Sequence, residues 1–195
     1  MIDHPIVKAA GLRAGQSVLD IGFRRIAVLQ SFAEIVGDQG CVTGVDISPT
    51  HVAAAQAVIR ESASANIRVL EGSILELPFR DETFNVILCL GVLHEVRDLD
   101  RAFREVSRIL RPDGCIVIAD FQHFSRFKFA LYRAQIRLRG ETCLDVHPGF
   151  AHQGLATCLK RSGLCEISYQ TLPGKWRMGF IRSGRFLLVA DKSTQ

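Results

Sequence analysis

Long apolar runs are missing from this 195-residue chain. No stretch approaches the roughly 20 residues that a membrane-spanning helix needs. The opening M-I-D-H-P also lacks the basic start and apolar core of a signal peptide, so a cytoplasmic protein with no transmembrane segment is expected. Six cysteines occur, but none forms a C-x-x-C pair. Cys41, Cys89 and Cys115 fall inside apolar segments, where a free thiol behaves as a small hydrophobe. Cys143, His147, His152 and Cys158 match no common zinc spacing, so no metal is expected. Internal repeats and low-complexity tracts are absent as well. Residues 1–195 are therefore expected to form one domain, with enough chain for a full core.

Charge is present but uneven. Residues 1–120 carry 12 Lys or Arg against 16 Asp or Glu, whereas residues 121–195 carry 12 against 4. A basic C-terminal part suits an acidic or phosphorylated substrate, or a membrane surface; a solvated basic face is the plainer alternative.

The most ordered pattern runs from Ser17 to Ser48. Ser17–Ile21 is short, apolar and β-branched, as a strand buried on both faces should be. Gly22 follows where the backbone must turn. Ile26, Leu29, Ala33 and Val36 then recur at helical spacing. Gly37 and Gly40 bracket a turn, and Cys41–Val45 is a second buried strand ending on Asp46. This is a mononucleotide-binding βαβ layout, whose ligand lies beyond the carboxyl ends of the strands. A carboxylate there can accept both hydrogen bonds of a ribose diol. Asp46 could instead cap the next helix, but Ser48 followed by Pro49 makes a better cap, which favours the ligand role.

Further elements follow in order. Met1–Ala14 holds at most a short helix near Pro5–Ala10. Pro49 to about Ser62 is a helix, Ile67–Leu70 a strand ending in Glu71-Gly72-Ser73-Ile74, and Phe84–Leu90 another. Asp98–Leu110 is strongly amphipathic. Arg111-Pro112-Asp113-Gly114 has turn chemistry, and Cys115–Ala119 is a strand ending at Asp120. Residues 121–150 interleave aromatics with arginines: Phe124, Phe127, Leu131, Ala134 and Leu138 share one helical side, among Arg126, Lys128, Arg133, Arg137 and Arg139. A lid, or a helix that pairs with a second copy of the chain, is the favoured account; a membrane surface, a lipid-like substrate or nucleic acid are alternatives. Phe150–Arg161 is helical, Leu164–Leu172 and Arg185–Ala190 are the last strands, and Pro173–Gly184 is a basic loop with Trp176 between them.

V-L-D-I-G, G-V-D-I-S and E-G-S-I-L-E-L-P-F-R-D-E-T-F-N-V-I-L-C-L-G-V-L-H-E-V stand in the order and spacing of a known family. Over roughly Ser17 to Asp120 the chain resembles the class I S-adenosylmethionine-dependent methyltransferases, in pattern nearest the small-molecule ubiquinone and menaquinone C-methyltransferase type. The resemblance implies a Rossmann-like α/β fold: a mostly parallel seven-stranded sheet, helices on both faces and an antiparallel last strand. It implies S-adenosylmethionine as cofactor and a small-molecule acceptor, acidic or lipid-like if the basic segment meets it. The cofactor-binding positions it implies are Asp20, Gly22, Asp46, Ile47, Gly72, Ser73, Ile74 and Leu90. His94 is the histidine placed to act as general base, since an imidazole ordinarily titrates near neutrality; packing at the strand end is its plain alternative, and Glu95 is a second candidate base, read more readily as a surface carboxylate. The N-P-P-Y type motif of nucleobase methylation and a proline-cysteine nucleophile are absent, which counts against nucleic-acid substrates.

Three positions depart from the family pattern. The first loop usually reads Gly-x-Gly-x-Gly, but here Phe23, Arg24, Arg25 and Ile26 follow Gly22. Glycines let the backbone pass close to the methionine part of the cofactor. An arginine here either pairs with the cofactor's carboxylate or obstructs the pocket. Ser73 and Asn85 stand where the family usually has acids. Two other hypotheses follow: a degenerate scaffold whose pocket is closed by Phe23, Arg24 and Arg25, and catalysis other than methyl transfer on the same fold.

Overall fold

In the computed structural model, which describes residues 5–62, 64–122, 150–178 and 181–192, strands and helices alternate along most of the chain. Helix α1 (Pro5–Ala10) precedes β1 (Ser17–Ile21), α2 (Ile26–Val36), β2 (Cys41–Asp46), α3 (Pro49–Ser62) and β3 (Ile67–Glu71). Then come β4 (Phe84–Leu90), a 3-10 turn at Leu93–Glu95, α4 (Leu99–Ile109), β5 (Leu110–Phe121), α5 (His152–Arg161), β6 (Leu164–Met178) and β7 (Ile181–Lys192). The strands form one sheet in the order β3-β2-β1-β4-β5-β7-β6. β3, β2, β1, β4 and β5 are parallel, and β7 runs antiparallel to both β5 and β6. This is the expected Rossmann-like sheet with its antiparallel last strand.

Burial on both faces explains the apolar strands. Alternate side chains enter opposite cores. Leu19 and Ile21 of β1 join Phe103, Val106, Leu155 and Leu159 from α4 and α5. Val18 joins Leu29, Phe32, Val36, Val52 and Ala55 from α2 and α3. The β1 strand lies between β2 and β4, where strand order reverses, so a crevice opens beyond the carboxyl ends of these strands. Asp98 caps α4 by accepting from the Arg101 amide at 2.9 Å. Arg108 of α4 donates to the Leu77 and Phe79 carbonyls at 3.0 and 2.7 Å, holding the segment before β4.

Several boundaries differ from the sequence expectations. β5 begins at Leu110, directly out of α4, because Phe84 pairs with Leu110 before the register jumps to Val86 and Cys115. Residues 111–114 are thus a bulge within the strand, where Pro112 needs no ladder bond. β6 and β7 also run on past Leu172 and before Arg185, pairing Trp176 with Ser183 and Met178 with Ile181. The expected basic loop at Pro173–Gly184 is therefore mostly hairpin. Pro173 falls at a register shift on the sheet's edge strand, where proline is tolerated. Helix α5 starts at His152 rather than Phe150, whose ring packs edge-on to Phe186. His152 itself stacks on Tyr169 and bonds Glu166 at 2.8 Å. Of the lid or pairing helix expected at residues 121–150, residues 123–149, with Cys143 and His147, lie outside the described residues.

Candidate active site

The carboxyl ends of β1 to β5 surround a cavity of about 950 Å³. The ends of β1, β2 and β5 and the loops after β1 to β4 contribute to its wall.

After β1, Gly22 adopts φ 71°, donates its amide to the Val45 carbonyl at 2.6 Å, and has no room for a Cβ against Val92. Glycine is required there by conformation and by contact. Phe23 then turns down into the core, 3% exposed, against Gly44, whose missing Cβ leaves space for the ring. Arg24 is exposed on the cavity wall. Arg25 is the extended residue at the start of α2 and makes no side-chain cap. Of the three residues expected to close a degenerate pocket, only Arg24 reaches the wall.

After β2, Asp46 accepts from the Ser48 amide at 2.8 Å through Oδ1. The Ser48 hydroxyl accepts from the His51 amide at 3.3 Å, so Ser48 performs the helix cap, as anticipated. The Asp46 side chain is 12% exposed on the wall, with Oδ2 3.8 Å from His51 Nδ1. Ile47 beside it is 62% exposed, a free apolar surface. After β3 stand Gly72, Ser73 and Ile74; the Ser73 hydroxyl accepts from the Leu75 amide at 3.2 Å and tightens the loop.

After β4, Gly91 takes φ 74° and swings the chain into the turn that carries His94. His94 is buried yet on the wall. Its Nδ1 lies 2.9 Å from Asp120 Oδ1, and its backbone amide donates to Asp120 Oδ2 at 3.3 Å. The Phe121 ring meets the imidazole edge-on at 4.9 Å. A carboxylate only accepts, which assigns a hydrogen to Nδ1 and makes Nε2 the nitrogen left to exchange a proton. Nε2 is 3.6 Å from Glu95 Oε1, whose side chain is more than half exposed.

Gly22, Asp46, Ile47, Gly72, Ser73, Ile74 and His94 of the expected set therefore meet at one cavity. Leu90 and Asp20 are not on its wall. Leu90 packs on the core beside α2, and Gly91 and Val92 face the cavity instead. Asp20 lies just behind Ile21 and Gly22, 3% exposed, with no hydrogen-bond partner for Oδ1 among the described residues. Burial, then the nearby Asp46 charge, push its carboxyl up to about 7. Asp120 was missed, although an acid ending β5 beside the β4 loop is the same signal that marked Asp46. Asn85 sits at the other end of the sheet and accepts from the Ser17 amide at 3.0 Å, so its missing charge does not bear on the cavity. The buried Cys89 thiol is pushed up by burial and by Asp20 and Asp120, which disfavours a thiolate.

Residues 19–118 match the model of the methyltransferase domain family. The chain belongs to that family. It is 34% identical over 116 residues to the ubiquinone/menaquinone biosynthesis C-methyltransferase UbiE of Vibrio campbellii, covering 59% of this chain and 45% of UbiE. It is 35% identical over 115 residues to the uncharacterised methyltransferase YcgJ of Bacillus subtilis, covering 59% of this chain and 44% of YcgJ. The matches thus span less than half the length of these curated relatives. The crystal structure of YcgJ superimposes with a TM-score of 0.72 at 19% identity, covering 96% of each chain. A geranyl diphosphate methyltransferase in complex with S-adenosylmethionine gives a TM-score of 0.77 at 18% identity, covering 96% of this chain and 83% of that one. These likenesses show the fold. Among the described residues, no helix is long and apolar enough to cross a membrane.

Proposed function

We propose that this chain transfers the methyl group of S-adenosylmethionine to a small-molecule acceptor. The observation that carries the reading is Asp46: a carboxylate relieved of capping by Ser48, on a cavity wall at the end of the second strand. The donor set suits the cofactor. Asp46 Oδ2 can accept from a ribose diol, Ile47 offers a flat apolar surface to a base, and the buried Asp20 oxygen lacks the positive partner that a cationic ligand would supply nearby. When bound, the cofactor supplies an electrophilic methyl group on a sulfonium.

This chain's residues would do the rest. Gly72, Ser73 and Ile74 hold the base end, Asp46 the ribose, and the β1 loop the amino-acid end. His94 receives the proton of the acceptor at Nε2, while Asp120 holds the imidazole through Nδ1. Alignment of the acceptor atom with the methyl carbon can supply much of the acceleration. The basic C-terminal sequence supports an anionic acceptor. The scaffold alternative, with its pocket closed by Phe23, Arg24 and Arg25, is the less supported reading: Phe23 fills the core, and of the three only Arg24 is on the wall.

Calorimetric titration with S-adenosylmethionine and S-adenosylhomocysteine tests the reading. Binding near micromolar, about −8 kcal/mol, is expected. Asp46→Ala should weaken it by ~10- to ~100-fold, the worth of charge-assisted hydrogen bonds. Unchanged affinity in that variant removes the ribose assignment, and no binding of either compound to the native chain removes the methyltransferase reading.

A further inference from the structure

The first loop replaces two glycines of its family's pattern with arginine and isoleucine, and the structure separates what each loop residue does. Gly22 keeps the turn, Phe23 is spent on the core, and Arg24 is the side chain that the loop delivers to the cavity. The loop is pinned on both sides of that delivery: by the Gly22 amide on the Val45 carbonyl, and by the Phe23 ring against Gly44. A cation on the wall of a ligand cavity, carried by a pinned backbone and making no ion pair among the described residues, is available to an anion. The helix that begins two residues later has no side-chain cap, so nothing from Arg25 offsets its positive end.

The order of the strands says which anion. Across the cavity the sequence of tips is β3, β2, β1, β4, β5. With the base end at Gly72 and Ser73 on β3 and the ribose at Asp46 on β2, the next tip in line is β1. The reacting centre must lie toward His94 and Asp120, on β4 and β5. A nucleoside bearing an amino-acid arm, laid in that order, brings its arm over the β1 loop. We infer that Arg24 is the carboxylate-binding residue of the cofactor site, taking over with a guanidinium what the missing glycines do with close backbone contact. This rests on the methyl-donor reading above. Arg97, the other arginine on the wall, follows His94 and so belongs to the acceptor side; it also already has an interaction of its own.

The test compares two ligands that differ by the arm. S-adenosylhomocysteine carries the aminobutyrate carboxylate; 5′-methylthioadenosine has the same nucleoside and sulfur without it. Both are titrated calorimetrically into the native chain, Arg24→Gln and Arg24→Lys, with thermal melting as a check on folding. Arg24 is exposed, so the variants should melt with the native chain. The inference expects Arg24→Gln to weaken S-adenosylhomocysteine by ~10- to ~100-fold, the worth of a charge-assisted pair. It expects 5′-methylthioadenosine to be unaffected, and Arg24→Lys to recover part of the loss. Unchanged or tighter S-adenosylhomocysteine binding by Arg24→Gln overturns the inference and marks Arg24 as an obstruction, while leaving the cofactor reading intact. Equal weakening of both ligands overturns it too, because the effect would not be on the arm. Failure of the native chain to bind either ligand overturns the cofactor reading and this inference with it.

Discussion

Asp20 makes the fold pay for its site, and the cost is measurable through pH. The carboxyl is 3% exposed, one oxygen has no partner among the described residues, and burial and the Asp46 charge push its pKa up to about 7 in the folded chain. Unfolded, the same group returns to about 4. The native state therefore binds this proton more tightly than the unfolded state. The contribution of Asp20 to stability is fully present below pH ~4 and is lost progressively until pH ~7, then stays flat. At ~1.4 kcal/mol for each pH unit, the loss across that window is ~4 kcal/mol. Asp20→Asn keeps the shape and removes the titration. Its amide adds a buried donor that costs ~1–3 kcal/mol at every pH, so the absolute offset is not the readout; the slope is. Urea unfolding at steps from pH 4.5 to 8.5 should show the variant gaining on the native chain by ~3–4 kcal/mol across the range, with the gain ending near pH 7. Parallel stability curves would refute the argument, since they would mean that Asp20 titrates alike in folded and unfolded chains.

Two further outcomes separate the site from its support. Asp120→Asn takes away the carboxylate that accepts from Nδ1, so the Nδ1–H tautomer of His94 should lose population in ¹⁵N NMR, and S-adenosylhomocysteine release in a methyl-transfer assay should slow by ~10- to ~100-fold, part of what a general base contributes. Asn85→Ala removes the bond to the Ser17 amide at the amino end of the sheet; urea unfolding should show a loss of ~1–2 kcal/mol, while calorimetry shows S-adenosylhomocysteine affinity unchanged.

The elements that sequence periodicity reveals are those whose burial is two-sided or strongly one-sided. Strands β1, β2 and β4 and helices α1, α3 and α4 lie within a residue or so of where the pattern puts them, because each apolar position has a core to enter. The late hairpin is different. Pro173, Gly174 and Gly184 carry loop chemistry, yet an edge strand tolerates a proline that a central strand cannot, and a register shift absorbs it. Local turn signals at Arg111–Gly114 likewise became a bulge, because Leu110 already has a partner in Phe84. Pairing is decided between segments, and a single segment does not display it.

The same division runs through the site. Which residues end strands is legible, and that reading marks Asp46; Gly22, Gly72 and His94 come from the family resemblance, and the structure puts all four on one cavity. Which way a side chain points at a strand end depends on what lies beneath it. Phe23 enters the core because Gly44 on the neighbouring strand leaves it room, and no spacing within the loop itself reveals that. Leu90 and Asp20 stay off the cavity wall because strand alternation puts Leu90 on the face of Leu88 and Asp20 on the face of Val18, the side of α2 and α3. Asp120 meets His94 across 26 residues because β4 and β5 are parallel neighbours whose ends stand level, Leu90 beside Ala119. That register puts the residue after Ala119 next to the loop after Leu90. A parallel pair of strands, one ending in an acid and the other followed by a loop histidine, is therefore a sequence signal for an oriented imidazole, provided the two strands are known to be adjacent. Adjacency is what the family's strand order supplies, so the dyad becomes readable only once the fold is assigned.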